Sequence, residues 1–243
     1  YKNKSFKLTL NLNDKKKSKE LIQKLKLDTY KYYICIHFRD PSYRDNKYSA
    51  RDTIKIENYL PLIKKLVSEN IAVVRVGRSN LKLSESFQIK GFFDYSNSTI
   101  VSDENDILLI ANSKFFLGTN SGAAVIADIF DVDIGCCNFT PFSKPADYNG
   151  YYYYPKIIRR INGDVVPFEE VLKSEISNSY DLEIYKKKNY IASDNSSDEI
   201  MEFYKECKDR LNNKYHEDPV EKKLRVRFQN LRKKNNFYYP HGS

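Results

Sequence analysis

The chain has 243 residues, 41 of them Lys or Arg and 32 Asp or Glu, and 41% are hydrophobic; that suffices for one large or two small domains and is too apolar for a wholly disordered chain. No apolar run approaches the roughly 20 residues that cross a bilayer, and no charged-then-apolar leader opens the sequence. The net charge of +9 invites a nucleic-acid reading, but residues 1–35 carry +7, residues 197–243 carry +3 and the centre is near −1, so no nucleic-acid partner is expected.

Residues 1–30 read as a solvated Lys-rich entry, with contact to a membrane surface or another anionic partner as the lesser reading. The start at Tyr1 leads us to expect missing upstream sequence. Tyr33–Phe38 reads as the first strand, followed by a polar loop, Arg39–Asp52, that holds Arg39, Arg44 and Arg51. Leu60, Ile63, Leu66 and Val67 share one face of a helix near Asn58–Glu69, with Pro61 suited to its first turn. Strands follow at Ile71–Gly77 and Phe92–Phe93. Ser102 is a candidate N-cap, with Asp103 and Glu104 in the first turn of a helix running to about Asn112.

Strand Lys114–Gly118 runs through Thr119–Gly122 into a helix at Ala123–Phe130, then strand Ile134–Cys137. Asn138–Pro155, which includes four consecutive tyrosines from Tyr151, reads as a long loop. A short helix is expected over 168–176. Ser196 or Ser197 starts a terminal helix with Ile200, Phe203, Tyr204, Cys207 and Leu211 on its apolar face. Alternating strands and helices predict a Rossmann-like parallel α/β sheet over 31–195, with a basic entry at 1–30 and a helical extension at 196–243. Cys35, Cys136 and Cys137 sit in apolar runs and no C-x-x-C occurs, so reduced thiols and a cytoplasmic location are expected.

Ligands of open parallel sheets bind beyond the carboxyl ends of the strands. At that edge the chain places His37-Phe-Arg39-Asp40, Arg75-Val-Gly77 and Gly118-Thr119-Asn120-Ser121-Gly122, the last opening onto a helix whose start favours anions. An arginine beside a helix N-terminus suits a diphosphate. Each part also has a structural reading. Gly118–Gly122 is compatible with an ordinary strand-to-helix turn, His37 with a packed strand end, and Arg39 with a surface ion pair. Arg75 in an apolar strand demands a partner, and a buried ion pair and a ligand contact are both open. Asp131-Val-Asp133 copies a D-x-D metal motif but sits on a tight helix-to-strand return, away from the ligand edge, so no metal is expected. The absence of G-x-S-x-G and the small number of histidines argue against serine-hydrolase chemistry.

Cys35–Tyr43, Ile56–Pro61, Val74–Gly77 and Phe115–Gly122 resemble, in order, the motifs of a bacterial glycosyltransferase family over about residues 33–140; Phe130–Asn138 follows it too, with Asp133 in place of a proline. More distantly, His37-Phe-Arg39, with Asp106 and Thr119, resembles the H-x-R and later motifs of the α1,6- and O-fucosyltransferase superfamily, with Asp40 where a second arginine would stand. The resemblance implies the nucleotide-sugar-binding half of a GT-B glycosyltransferase. It implies a GDP- or UDP-linked sugar donor, a glycan or lipid-linked acceptor, surface polysaccharide synthesis and no cofactor.

On that reading Arg39 neutralises the diphosphate, with Arg51 and Arg75 assisting. His37, Gly77, Thr119, Asn120, Ser121 and Gly122 hold the donor, and Asp106 meets the nucleoside or its ribose. Asp40 is favoured as general base over Asp45, Asp52 and Glu57. The alternatives are a non-catalytic nucleotide-sugar-binding module and an enzyme like the polysaccharide pyruvyl transferases.

Overall fold

The structure, a computed structural model, describes residues 7–43, 49–142 and 151–235; Arg44, Asp45 and His241 lie outside the described residues. Asn11 opens the first helix by accepting the Asp14 N–H at 2.9 Å. This helix, α1 (Leu12–Lys24), turns Leu21 inward and leaves its lysines in water. The Lys-rich entry is therefore partly a docked amphipathic helix.

Strand β1 (Tyr32–His37) is followed by α2 (Leu60–Ser68), with Pro61 in its first turn, then by β2 (Ile71–Arg75) and the two-residue β3 (Phe92–Phe93). Ser102 caps α3 (Asp103–Ala111), accepting the Asn105 N–H at 3.1 Å. Strand β4 (Phe116–Gly118) turns directly into α4 (Gly122–Ile129), and β5 (Ile134–Phe139) follows.

The segment expected as one long loop ends in a strand, β6 (Tyr151–Pro155), paired in parallel with β5. Successive strand side chains face opposite ways, so Tyr152 and Tyr154 join one core layer while Tyr151 and Tyr153 join the other. A small lobe comes next: β7 (Ile157–Arg160), α5 (Phe168–Lys173), α6 (Leu182–Lys187) and β8 (Tyr190–Ser193), the two strands antiparallel. Its core gathers Ile158, Val171, Leu172, Ile176 and Tyr185. Helices α7 (Ser197–Leu211) and α8 (Pro219–Lys234) each begin with a capping box, Ser196 with Glu199 and Asp218 with Glu221.

The large sheet has the order β3-β2-β1-β4-β5-β6, parallel throughout, with helices on both faces. This is the doubly wound Rossmann order, and the expected α/β class holds. Ile34, Ile36, Ile71, Val73 and Leu117 face α2 and α7, meeting Leu62, Leu66, Ile200, Phe203 and Cys207. Tyr33, Cys35, Ala72, Val74 and Phe116 face α1, α3 and α4, meeting Leu21, Leu109 and Ala127. Each fully buried Leu, Ile or Phe contributes about 1.5–3 kcal/mol. Helix α7 supplies Ile200, Phe203, Tyr204 and Cys207 to the layer it shares with α2. All four cysteines are buried thiols, and burial pushes Cys136 up to about 12. Among the described residues no helix is long and apolar enough to cross a membrane.

A buried ion pair joins the sheet to the lobe. Lys156 Nζ lies 2.6 Å from Asp194 Oδ1 and donates to the Asp52 carbonyl at 2.7 Å. The second Asp194 oxygen accepts the N–H groups of Ile54 and Lys55, each at 2.7 Å. The pair thus clamps the segment 52–55 beneath the strand ends. Lys156→Met leaves Asp194 buried without its cation and should lower stability by about 3–5 kcal/mol. Urea unfolding reads this directly; a loss under about 1 kcal/mol would contradict it.

Candidate functional site

A cleft of about 360 Å³ opens at the carboxyl ends of β1 and β2, bordered by α3 and the start of α4. His37 enters it because it shares strand parity with Tyr33 and Cys35, on the α3 and α4 side of the sheet. Two glycines let the backbone close around this residue. A Cβ on Gly77 would stand 2.7 Å from His37 Nδ1, and one on Gly118 would stand 2.9 Å from the His37 carbonyl oxygen. Gly77 also holds φ +92°, in the left-handed region.

His37 Nδ1 lies 3.0 Å from the Val76 carbonyl oxygen. A carbonyl only accepts, so Nδ1 carries the proton and Nε2 is left as an acceptor. Burial holds the imidazole pKa below its usual value, and the nearby Arg39 and Arg75 charges push the same way, against the Val76 bond and Asp40. Asp106, on the first turn of α3, accepts the Gly77 N–H through Oδ1 at 2.9 Å. Burial raises its carboxyl pKa, opposed by that same bond.

Arg39 borders the cleft, and its Nε lies 3.4 Å from Asp52 Oδ1. Asp52 is fully buried and accepts the Ser49 N–H at 2.7 Å. It therefore orients Arg39 from below and is enclosed away from solvent. The α4 N-terminus is open: Ser121 is extended, its side chain caps nothing, and a Cβ built on Gly122 meets no atom within 4 Å. Uncapped N–H groups and the helix dipole favour an anion there.

The remaining expected site residues support this edge from behind. Thr119 is fully buried, and its Oγ1 has no hydrogen-bond partner among the described residues; the same holds for Asn120 Oδ1 and Ser121 Oγ. Asn120 Nδ2 donates to the Thr140 carbonyl at 2.6 Å. Arg51 donates to the Asn120 carbonyl at 3.1 Å and stacks 4.9 Å over the Tyr180 ring, so it braces the turn and does not border the cleft.

Arg75 lies on the opposite face of the sheet and is 1% exposed. Nη1 donates to the Leu81 carbonyl and to Asp94, each at 3.1 Å, and Nη2 donates to Ser79 Oγ at 2.7 Å. Phe38 covers the guanidinium at 5.8 Å. The partners it demands are thus internal, and Arg75 does not border the cleft. Asp40 borders the cleft but is buried, and both its oxygens are engaged. Oδ1 accepts from the Ser42 N–H and hydroxyl, and Oδ2 accepts from Ser79 at 2.8 Å. A carboxylate committed in this way holds the loop and is poorly placed to take a proton.

Glu57 sits on the turn before α2, and Asp131 and Asp133 on the return between α4 and β5, near Lys7; none borders the cleft. Among the described residues no group of three or more His, Cys, Asp or Glu side chains is arranged to hold a metal. Sequence reasoning missed the Arg78–Asp103 ion pair at the cleft, 2.9 Å, and the apolar wall of Ile110, Ala123 and Ile126. Asp103 was legible only as a helix-start residue. Arg78 follows Gly77 directly and carried no signal of its own.

No family model matches the chain, and no curated protein matches it in sequence. Solved structures similar to it include the Escherichia coli ADP-heptose lipopolysaccharide heptosyltransferase II, 14% identical over 61% of this chain and 44% of that one, TM-score 0.42. The dodecameric iron-containing heptosyltransferase TibC, in complex with ADP-D-β-D-heptose, is 12% identical over 75% and 47%, TM-score 0.44. The wall teichoic acid polymerase TagF is 14% identical over 92% and 48%, TM-score 0.40. The chain spans less than half the length of each.

The depressed His37 pKa has a thermodynamic sign. The unfolded imidazole titrates near 6.5 and the folded one lower, so stability is complete above about pH 7 and falls as pH drops through 6.5. Melting temperatures across that range should decline more for the wild type than for His37→Gln; parallel curves would refute the assignment.

Proposed function

We propose that the cleft binds the diphosphate of a nucleotide-linked sugar, and that the chain is the donor-binding part of a glycosyltransferase. One observation carries this reading: Arg39 and the uncapped start of α4 at Ser121–Gly122 border the same cleft, at the carboxyl edge of a Rossmann-ordered sheet. Loss of a nucleoside diphosphate leaves negative charge on the departing phosphate. An oriented guanidinium and fixed backbone N–H groups stabilise that charge as it forms, with no metal needed. Asp106 keeps Oδ2 without a partner among the described residues, and this atom suits a ribose hydroxyl.

The proton acceptor role passes from Asp40 to His37, whose Nε2 is neutral and faces the cleft side of the sheet. Arg51, Thr119 and Asn120 hold the shape of the phosphate turn, and Arg75 has a structural role. A glycan or lipid-linked acceptor, surface polysaccharide synthesis and an acceptor-binding half outside this chain complete the proposal.

Thermal shift with GDP, UDP, ADP and CMP tests it. At about a hundredfold excess over Kd, one nucleoside diphosphate should raise Tm by roughly 5–10 °C. Arg39→Ala leaves the buried Asp52 without its cation, so it should melt below the wild type while remaining folded, and it should bind that nucleotide about ten- to a hundredfold more weakly. No shift with any nucleotide, or unchanged affinity in a folded Arg39→Ala variant, would defeat the reading. Binding without sugar release or transfer from the matching donor would instead favour a non-catalytic module.

A further inference from the structure

Neither the core nor the cleft uses the outer face of α8. At about 100° per residue, Phe228 and Arg232 turn inward, Phe228 against the Phe168 ring of α5 at 5.1 Å and Arg232 into a buried position. The outward arc carries Lys222, Lys223, Arg227, Lys233 and Lys234 and no acidic residue. Val226 lies within this cationic arc and Val220 at its edge, beside Arg227, and they are 44% and 65% exposed; Leu224, one turn before Phe228, is on the inward side.

The acids near α8 are already committed. Glu217 pairs with Arg225 at 2.6 Å, and Asp218 and Glu221 form the capping box. Glu169 of α5, which feels the Arg227 and Lys234 charges, pairs with Lys173, and elsewhere Lys17 pairs with Glu104. By contrast, Lys222, Lys223, Arg227 and Lys234 form no ion pair among the described residues. A shallow depression of about 440 Å³ lies along the arc, lined by Lys223, Val226, Arg227, Asn230, Leu231 and Lys234.

We propose that this face of α8 docks on the surface of an anionic lipid bilayer. The cations meet headgroup phosphates, and the Val220 and Val226 side chains enter the boundary between headgroups and acyl chains. Charge complementarity selects an anionic partner. The aliphatic side chains select lipid over nucleic acid, because a duplex backbone offers them no apolar medium. Two signals of different kind, charge and apolar burial, give the membrane affinity that neither supplies alone. This inference stands independently of the cleft and its ligand.

Co-sedimentation of the full chain with vesicles tests it. Vesicles of two parts phosphatidylcholine to one part phosphatidylglycerol should carry the protein down, and phosphatidylcholine alone should not. Raising the salt should release it. All substituted positions are exposed, and circular dichroism confirms folding. The triple variant Lys223→Gln, Arg227→Gln, Lys234→Gln should bind roughly a hundredfold more weakly. The double variant Val220→Ser, Val226→Ser keeps the charge and should still lose several-fold in affinity. Failure of the wild type to bind mixed vesicles would overturn the proposal. So would unchanged binding of the Ser variant, or equal affinity for duplex DNA that this variant does not alter.

Discussion

Strand β1 is buried on both faces, so each of its residues is committed to one side of the sheet. This constraint sets the geometry of everything at its carboxyl end. Odd positions from Tyr33 run toward α3 and α4 and deliver His37 to the cleft. Even positions from Ile34 run toward α2 and α7 and deliver Phe38 over Arg75. The neighbouring strand obeys the same register, with Ile36 beside Arg75. A shift of one residue would exchange the two sets completely.

Burying Arg75 in that layer carries a large desolvation cost, offset only if every donor finds an acceptor. The chain meets this demand with Asp94, the Leu81 carbonyl and Ser79, and Ser79 in turn satisfies Asp40. The result is a polar network beneath the cleft floor that fixes where the loops after β1 and β2 lie. The groups that border the cleft include the Arg39 guanidinium, held by Asp52, His37, the Asp106 carboxylate and the open start of α4. They combine a cationic pole with hydrogen-bond acceptors at one edge of the sheet.

Much of this was legible in the sequence because local rules and tertiary structure agree there. Ser102 and Ser196 were recognisable as caps, and the apolar runs at 33–38, 71–77 and 134–137 as buried parallel strands. The helix-start turn at Gly118–Gly122 was placed correctly for the same reason. What failed was non-local. The tyrosine run gave no strand signal because an edge strand between two half-covered faces shows no apolar alternation. Strands β7 and β8 and helix α6 are stabilised mainly by one another. Arg75 was left ambiguous although its parity with Ile71 and Val73 already placed it on the far face. Asp40 looked like a base because its partners, Ser42 and Ser79, come from two different loops, and Ser79 lies far along the chain.

The segment between Ser49 and Lys55 is tied at separate points: Asp52 faces Arg39, Arg51 holds the Asn120 carbonyl, and the Lys156–Asp194 pair grips its backbone. The carboxylate that aims Arg39 and the guanidinium that braces the turn into α4 are therefore carried by one strap. Conformational entropy that a loose loop would lose on meeting a ligand is here lost during folding. Affinity at such an edge depends less on how many contacts form than on how little the protein must still be ordered to make them.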